Sequence, residues 1–255
     1  MSLLLSEKNP HYTYNLIEKS EDLISNVSSN KNLIISYYII EGSLNFFKEK
    51  QHKVLKDNVI VISGLDKLKN FSLDTNSKVL EIFSKKKNKQ TLFIKDNEGM
   101  RSEDIISDYR IFNIHKKVDK PWGYEVWYVW LKDYHVLKKI FMKKGNKCSL
   151  QYHDAKYETN FLVSGKAKII KGFYIDLKEK REKTFQKILS TDLIKDYSSI
   201  HKAPHVFTNV PGEVHRVYSE ADYVAYEVST PELDDVVRVQ DDKNRPSGLI
   251  IEEHK

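Results

Sequence analysis

Residues 145–165 read GNKCSLQYHDAKYETNFLVSG, with Gln151, His153 and Glu158 held between two glycines at the spacing G-x5-Q-x-H-x4-E-x6-G. On an extended chain residues two apart point the same way, so Gln151 and His153 share a side. Asp154, Ala155 and Lys156 read as a hairpin turn. Glu158 then opens a returning strand, on which Glu158, Asn160 and Leu162 share a face able to meet Gln151 and His153 across the sheet. Further on, VPGEVH adds His215 after a tight turn. Two imidazoles with an amide and a carboxylate oxygen make a mixed set that suits a borderline divalent ion, such as Zn, Mn, Fe, Co or Ni, rather than a thiolate site. The competing reading keeps Gln151 and His153 as hydrogen-bonded groups of a polar barrel interior that holds no metal.

The pattern resembles the first cupin motif, with Gln151 where that motif usually has its first histidine, and VPGEVHRVYS at residues 210–219 resembles the second. KPWGYE (120–125), SLQYH (149–153) and EVSTPELDDVVRVQDDKNR (227–245) are similar to stretches of mannose-6-phosphate isomerase-like cupins of bacterial capsule and nucleotide-sugar pathways. The resemblance covers residues 119–245. It implies an all-β chain built on cupin barrels (double-stranded β-helix or jelly-roll), a metal held by Gln151, His153, Glu158 and His215, and a sugar substrate. The chain departs from bifunctional isomerases of this kind in lacking their longer His-rich run, which is here His153, Asp154 and Ala155.

Outward from the motif, the chain repeats itself. NLIISYYIIEGSLNFF (32–47) parallels YETNFLVSGKAKII (157–170) with Gly42 set on Gly165, and VIVISGLDKL (59–68) parallels FTNVPGEVHRV (207–217) with Gly64 on Gly212. Each half closes with an apolar strand, VLEIFS (79–84) and AYEVST (225–230). The expectation is two cupin lobes in tandem, 1–105 and 106–255. The same alignment sets Ser28, Asn30, Ile35 and Lys67 against the four motif residues, which leaves the first lobe structural, as a packing surface or dimer contact. Metal at His11 or His52 would overturn that reading. Pairing of edge strands between cupin lobes makes a homodimer the expected assembly.

Composition narrows the partners. The 255 residues hold two domains of ordinary size and are 40% hydrophobic. No apolar run approaches the roughly 20 residues of a membrane helix, and MSLLLSEKNP lacks both a basic start and a long apolar stretch, so the expected location is the cytoplasm. A single cysteine, Cys148, excludes an internal disulfide and a zinc-thiolate cluster. The charge of +6 and pI near 9.0 admit nucleic acid, a membrane surface or a small anion. The lysine runs are mixed with acids and lack interleaved aromatics or a nucleic-acid module, so they read as solvated surface, and the partner that the resemblance implies is a phosphorylated or nucleotide-linked sugar.

Isomerisation of such a sugar needs a Lewis acid, a base to shuttle a carbon-bound proton and a cation to hold the phosphate. Lys138, Lys156 and Arg216 are the cationic candidates, and Glu227 is the candidate base. Against this, Lys156 also reads as a solvated turn lysine and Arg216 as an outward neighbour of an inward histidine. Trp122 and Tyr124 are candidates to pack over a sugar ring, against an ordinary core role. Residues 176–199, with Glu179 and Lys183 four apart, read as a short helix or long hairpin that either caps the barrel mouth or lies solvated on its rim. PELDDVVRVQDD reads as a terminal helix and tail rather than a metal cluster. A metal-free epimerase using His153, Asp154 and Tyr152, a non-catalytic sugar-binding protein and an iron oxygenase are the alternatives.

Overall fold

In the computed structural model, residues 2–18, 33–63, 69–85, 109–113, 115–248 and 250 are described. Ser28, Asn30, Gly64, Lys67 and the expected lobe boundary near residue 105 lie outside them. The described residues fall into two compact units, one of those up to 116 with 128–136, the other of 117–127 and those from 137 onward.

Alternation of apolar and polar residues becomes strand after strand. In chain order these are β1 (Ser2–Lys8), β2 (Tyr12–Glu18), β3 (Leu33–Glu41), β4 (Ser43–Lys48), β5 (Lys50–Leu55), β6 (Val59–Ile62), β7 (Lys69–Leu73), β8 (Lys78–Lys85) and β9 (Tyr109–Phe112). They form a six-stranded sheet of order β1-β2-β8-β3-β6-β9 and a three-stranded sheet β5-β4-β7. Ile35, Tyr37, Ile39, Leu44, Phe46, Ile60, Ile62 and Phe71 fill the space between them. His52 stacks on Phe46 and meets the edge of Tyr109, so it belongs to this aromatic packing.

The chain continues with β10 (Lys116–Lys120), β11 (Gly123–Leu131), β12 (His135–Met142), β13 (Leu150–Tyr152), β14 (Glu158–Ser164), β15 (Lys166–Tyr174), α1 (Arg181–Ser190), α2 (Leu193–Asp196), β16 (Ser198–Lys202), β17 (His205–Asn209), β18 (Glu213–Ser219), β19 (Tyr223–Ser229) and β20 (Val237–Gln240). Their sheets have the orders β10-β11-β12-β19-β14-β17 and β16-β15-β18-β13-β20. The run β2-β8-β3-β6 thus recurs as β12-β19-β14-β17, and β5-β4-β7 recurs as β16-β15-β18, which is the tandem repeat read from the sequence. The matched glycines Gly42 and Gly165 do the same work in both copies. Gly42 and Gly165 sit at φ +73° and +95°, and a Cβ on either would lie about 2 Å from Ser77 Oγ or the Asp222 carbonyl oxygen, so no other residue fits these turns.

Three expectations are corrected. β13 and β14 are not a paired hairpin: β13 pairs with β18 and β20, whereas β14 pairs with β17 and β19, so the segment between them crosses from one sheet to the other. The expected terminal helix is instead β20, whose Val237, Arg238, Val239 and Gln240 alternate as a strand on the open edge of β13. The 176–199 segment does form helices, but they do not cover the barrel mouth. Ile188 and Leu193 pack with Leu150, Tyr152, Ile170, Phe173 and Val214, the face of the five-stranded sheet opposite Gln151 and His215.

Candidate metal centre

The crossing between sheets is what assembles the site. Gln151 faces His215 directly across the β13–β18 ladder, His153 follows β13, and Glu158 enters from the start of β14 in the opposing sheet. One donor atom each from His153, Glu158 and His215 lies within 4.8 Å of the others, and all three residues are buried. His153 Nε2 is 3.4 Å from Glu158 Oε2, and His215 Nε2 is 3.3 Å from Glu158 Oε1.

Main-chain carbonyls decide which nitrogen of each ring faces inward. His153 Nδ1 donates to the Asp235 carbonyl oxygen and His215 Nδ1 to that of Glu213, at 3.0 Å in the latter. In the neutral ring the proton therefore sits on Nδ1, which leaves the Nε2 lone pair on the carboxylate side. His153 Nε2 is buried without a hydrogen-bond partner among the described residues. Burial, followed by the nearby Lys156 ammonium, holds the His153 pKa below its usual value, which keeps the ring neutral. Two imidazole lone pairs aimed at a carboxylate repel one another unless a cation lies among them. Donor atoms 3.3–3.4 Å apart also match the edge of a coordination shell with bonds of ~2.1 Å. The residues present fit a divalent ion.

Gln151 joins the cluster through its amide. Its Oε1 accepts from Ser149 Oγ at 2.5 Å, and its Nε2 lies 3.3 Å from His215 Nε2, so as placed it donates to the histidine rather than offering an oxygen to the centre. Asn209 Nδ2 donates to Glu158 Oε1 at 2.8 Å and orients the carboxylate.

Beside the three candidate ligands runs a ladder of buried charges. Lys156 Nζ is 2.7 Å from Glu158 Oε2 and 3.2 Å from Glu227 Oε1. Lys138 Nζ lies 3.7 Å from the same Glu227 oxygen and 3.6 Å from Glu125 Oε2, and it sits 4.8 Å above the Trp127 ring. Burial opposes ionisation of both Glu158 and Glu125. The Lys156 ammonium outweighs it at Glu158, holding that carboxyl well below its usual range. Lys138, Lys120 and the Trp127 indole N–H do so at Glu125, whose pKa falls to about 2. Burial likewise disfavours a charged Lys156, but Glu158 and Glu227 hold it protonated, far above the ordinary lysine value.

Of the sequence candidates, Gln151, His153, Glu158, His215, Lys138, Lys156 and Glu227 come together here. Lys156 is 4% exposed and deep in the site, not at a solvated turn. Arg216 stands apart: its Nε donates to the Cys148 carbonyl at 2.8 Å and its other nitrogens reach Gln240, on the sheet face opposite His215. Tyr152 packs in the apolar layer under the helices, and Asp154 pairs with Arg181 at 3.0 Å, so neither reaches His153's inward face. Trp122 lines the cavity, while Tyr124 stacks on Phe141. Sequence reasoning passed over Glu125, Asn209 and Asp235. Asp235 secures the crossing segment, because its carboxylate accepts the N–H groups of Asp154, Ala155 and Lys156 at 2.6–2.9 Å. The alternation in VVRVQ was the signal that its neighbourhood is a strand.

Residues 107–210 match the family model described as "Mannose-6-phosphate isomerase C-terminal". No curated protein matches the chain. Among solved structures, a mutant of the Bacillus subtilis oxalate decarboxylase OxdC is similar with a TM-score of 0.56 at 12% identity, over 89% of this chain and 71% of that one. The E. coli protein Ylba aligns with a TM-score of 0.56 at 8% identity, over 88% and 80% of the two chains. A putative glyoxylate induced protein from Pseudomonas aeruginosa gives 0.53 at 11%, over 88% and 76%. At these identities the likeness speaks for the fold alone. Motifs, strand order and these matches agree that the chain has the tandem-barrel fold of the cupin superfamily.

Proposed function

We propose that the second unit is a metal-dependent isomerase of a sugar phosphate, interconverting aldose and ketose. The observation that carries this reading is the cluster of His153, Glu158 and His215, its imidazoles oriented by main-chain carbonyls, beside the buried Lys156–Glu227–Lys138 ladder that lines a cavity with Glu158 and His215. The family model matching residues 107–210 supports a sugar substrate. Oxalate decarboxylase, which shares the fold, has Mn(II) centres, and His153, Glu158 and His215 are the residues that would hold such an ion here. When bound, a divalent ion there supplies Lewis acidity to a carbonyl and its neighbouring hydroxyl, which eases loss of the adjacent carbon-bound proton.

The chain's own residues supply the rest. Glu227 is the carboxylate assigned to take the proton from C2 of the aldose and return it to C1, while the C2 hydroxyl proton passes to O1 as the carbonyl moves from C1 to C2. Lys156 and Lys138 flank Glu227 and offer N–H donors to the oxygens that gain charge during the transfer. Lys120, Arg238 and Arg245 line the same cavity and give the phosphate a cationic wall. The cavity's Trp122 and Trp127 exclude water from one side.

The test is proton exchange. Protein stripped with a chelator, then refilled with Mn2+, Co2+ or Zn2+, is incubated in D2O with aldose and ketose 6-phosphates, and loss of the aldose C2–H or ketose C1–H signal is followed by NMR. Exchange only after refilling supports the reading. Exchange that ignores the chelator moves the assignment to a metal-free epimerase, and no exchange with any sugar phosphate leaves a binding protein.

A further inference from the structure

Glu158 is asked to serve two cations. Its Oε2 lies 2.7 Å from the Lys156 ammonium and 3.4 Å from His153 Nε2, so the lysine already neutralises the carboxylate that a metal would use. Lys156 is buried and bonded through its Nζ to two carboxylates, Glu158 and, at 3.2 Å, Glu227. The second bond is the longer, so the geometry offers the ammonium an alternative berth without leaving the cavity.

We propose that Lys156 is a resident counter-ion that competes with the metal for Glu158, and that Glu227 accepts the lysine when the metal binds. The proposal rests on the metal-site reading above. Lys156 and Glu227 together then set how tightly the centre holds its ion. Lys156 keeps the site charge-balanced when empty, weakening uptake of a divalent ion. Glu227 limits that penalty by giving the displaced ammonium a partner of opposite charge. Without such a partner, release of Lys156 from Glu158 would leave a buried cation unpaired, which the interior tolerates poorly.

Affinity for Co2+ tests this without any turnover. Co2+ is titrated against a competing chelator, and its visible d–d absorption confirms binding at a nitrogen and oxygen site. Lys156→Met is expected to bind Co2+ at least tenfold more tightly than the unaltered protein. Glu227→Gln is expected to bind it at least tenfold more weakly, and that weakening is expected to vanish in the Lys156→Met background, since no ammonium then needs a berth. If the methionine variant does not fold, Lys156→Gln, which keeps a hydrogen-bond donor, replaces it. Equal affinity with and without Lys156 overturns the competition. A Glu227→Gln effect of the same size in both backgrounds shows simple charge attraction and overturns the hand-over. Failure of every variant and the unaltered protein to bind Co2+ overturns the metal site itself, a result distinct from the other two.

Discussion

The two units share a strand order and differ in what they place between their sheets. Counted back from the matched glycines, Glu158 and Asn160 on β14 correspond to Ile35 and Tyr37 on β3. Asn160 pairs in register with Glu227 on β19, and Tyr37 pairs with Glu81 on β8. One carboxylate has therefore been kept in both interiors, but with different company. Glu227 sits between two ammonium groups. Glu81 accepts from the Tyr37 hydroxyl and the Asn15 amide, both at 2.9 Å, and lies against an apolar core. The same scaffold tolerates either a hydrocarbon filling with one neutral-partnered acid or a ladder of paired charges. What it does not tolerate is a charge without its partner.

Exchanging a residue between the two interiors breaks the comparison most sharply. Ile35→Glu puts the motif carboxylate into the first unit without Lys156 or histidines, and should destabilise that unit by about 3–5 kcal/mol. Chemical denaturation followed by hydrogen exchange in β3 and β8 reads this directly. A loss below about 1 kcal/mol would mean that the first interior is more polar than its packing shows.

Acid should separate the units next. The Glu125 pKa is depressed from 4.5 to about 2, so its stabilisation is complete above 4.5 and disappears as the pH falls from there toward 2, about 3 kcal/mol in all. Burial raises the Glu81 pKa, with the Asn15 and Tyr37 hydrogen bonds only partly offsetting it. For that group the folded protein binds the proton more readily, so stability is greatest at low pH and declines as the pH rises from 4.5 through the raised value. Amide protection measured between pH 7 and pH 3 should weaken in β11 while β8 gains or holds. Glu125→Gln should flatten the acid limb, and equal acid loss in both strands would refute the contrast.

A smaller effect is expected from ligand removal. His215→Ala should lower metal affinity by ~100-fold or more while far-UV circular dichroism stays unchanged, since the apolar packing beside the site remains. Metal analysis after dialysis decides it, and full retention would exclude His215 as a ligand. The smallest change is Arg216→Lys, which loses part of the fork that ties β18 to Cys148 and Gln240. It should cost about 1 kcal/mol in thermal unfolding and leave metal content intact.

Much of this was legible in the sequence because alternation is a local property. It put Gln151 and His153 on one side, and Arg216 opposite His215, with no knowledge of partners. Pairing is not local. Nothing in DAKY says that the chain leaves one sheet and enters another, so Lys156 read equally well as a solvated tip, although the crossing buries it between two glutamates. Glu125 was missed for a related reason. Its significance lies in Lys138 and Trp127, one on the next strand and the other two residues along, and a lone glutamate in KPWGYE carries no sign of either. Asp235 was hidden by its acidic neighbours, which suggested a tail where the chain uses one carboxylate as a clasp.

The tautomers of His153 and His215 are written into the peptide backbone, because the acceptors at Asp235 and Glu213 are carbonyl oxygens that every amino acid carries. Those carbonyls keep the same nitrogen of each imidazole pointing inward for as long as the strands hold their course, a course that the Asp235 carboxylate helps to fix. Such a barrel can exchange its surrounding chemistry, residue by residue, and still present the next lineage with a ready pair of donors.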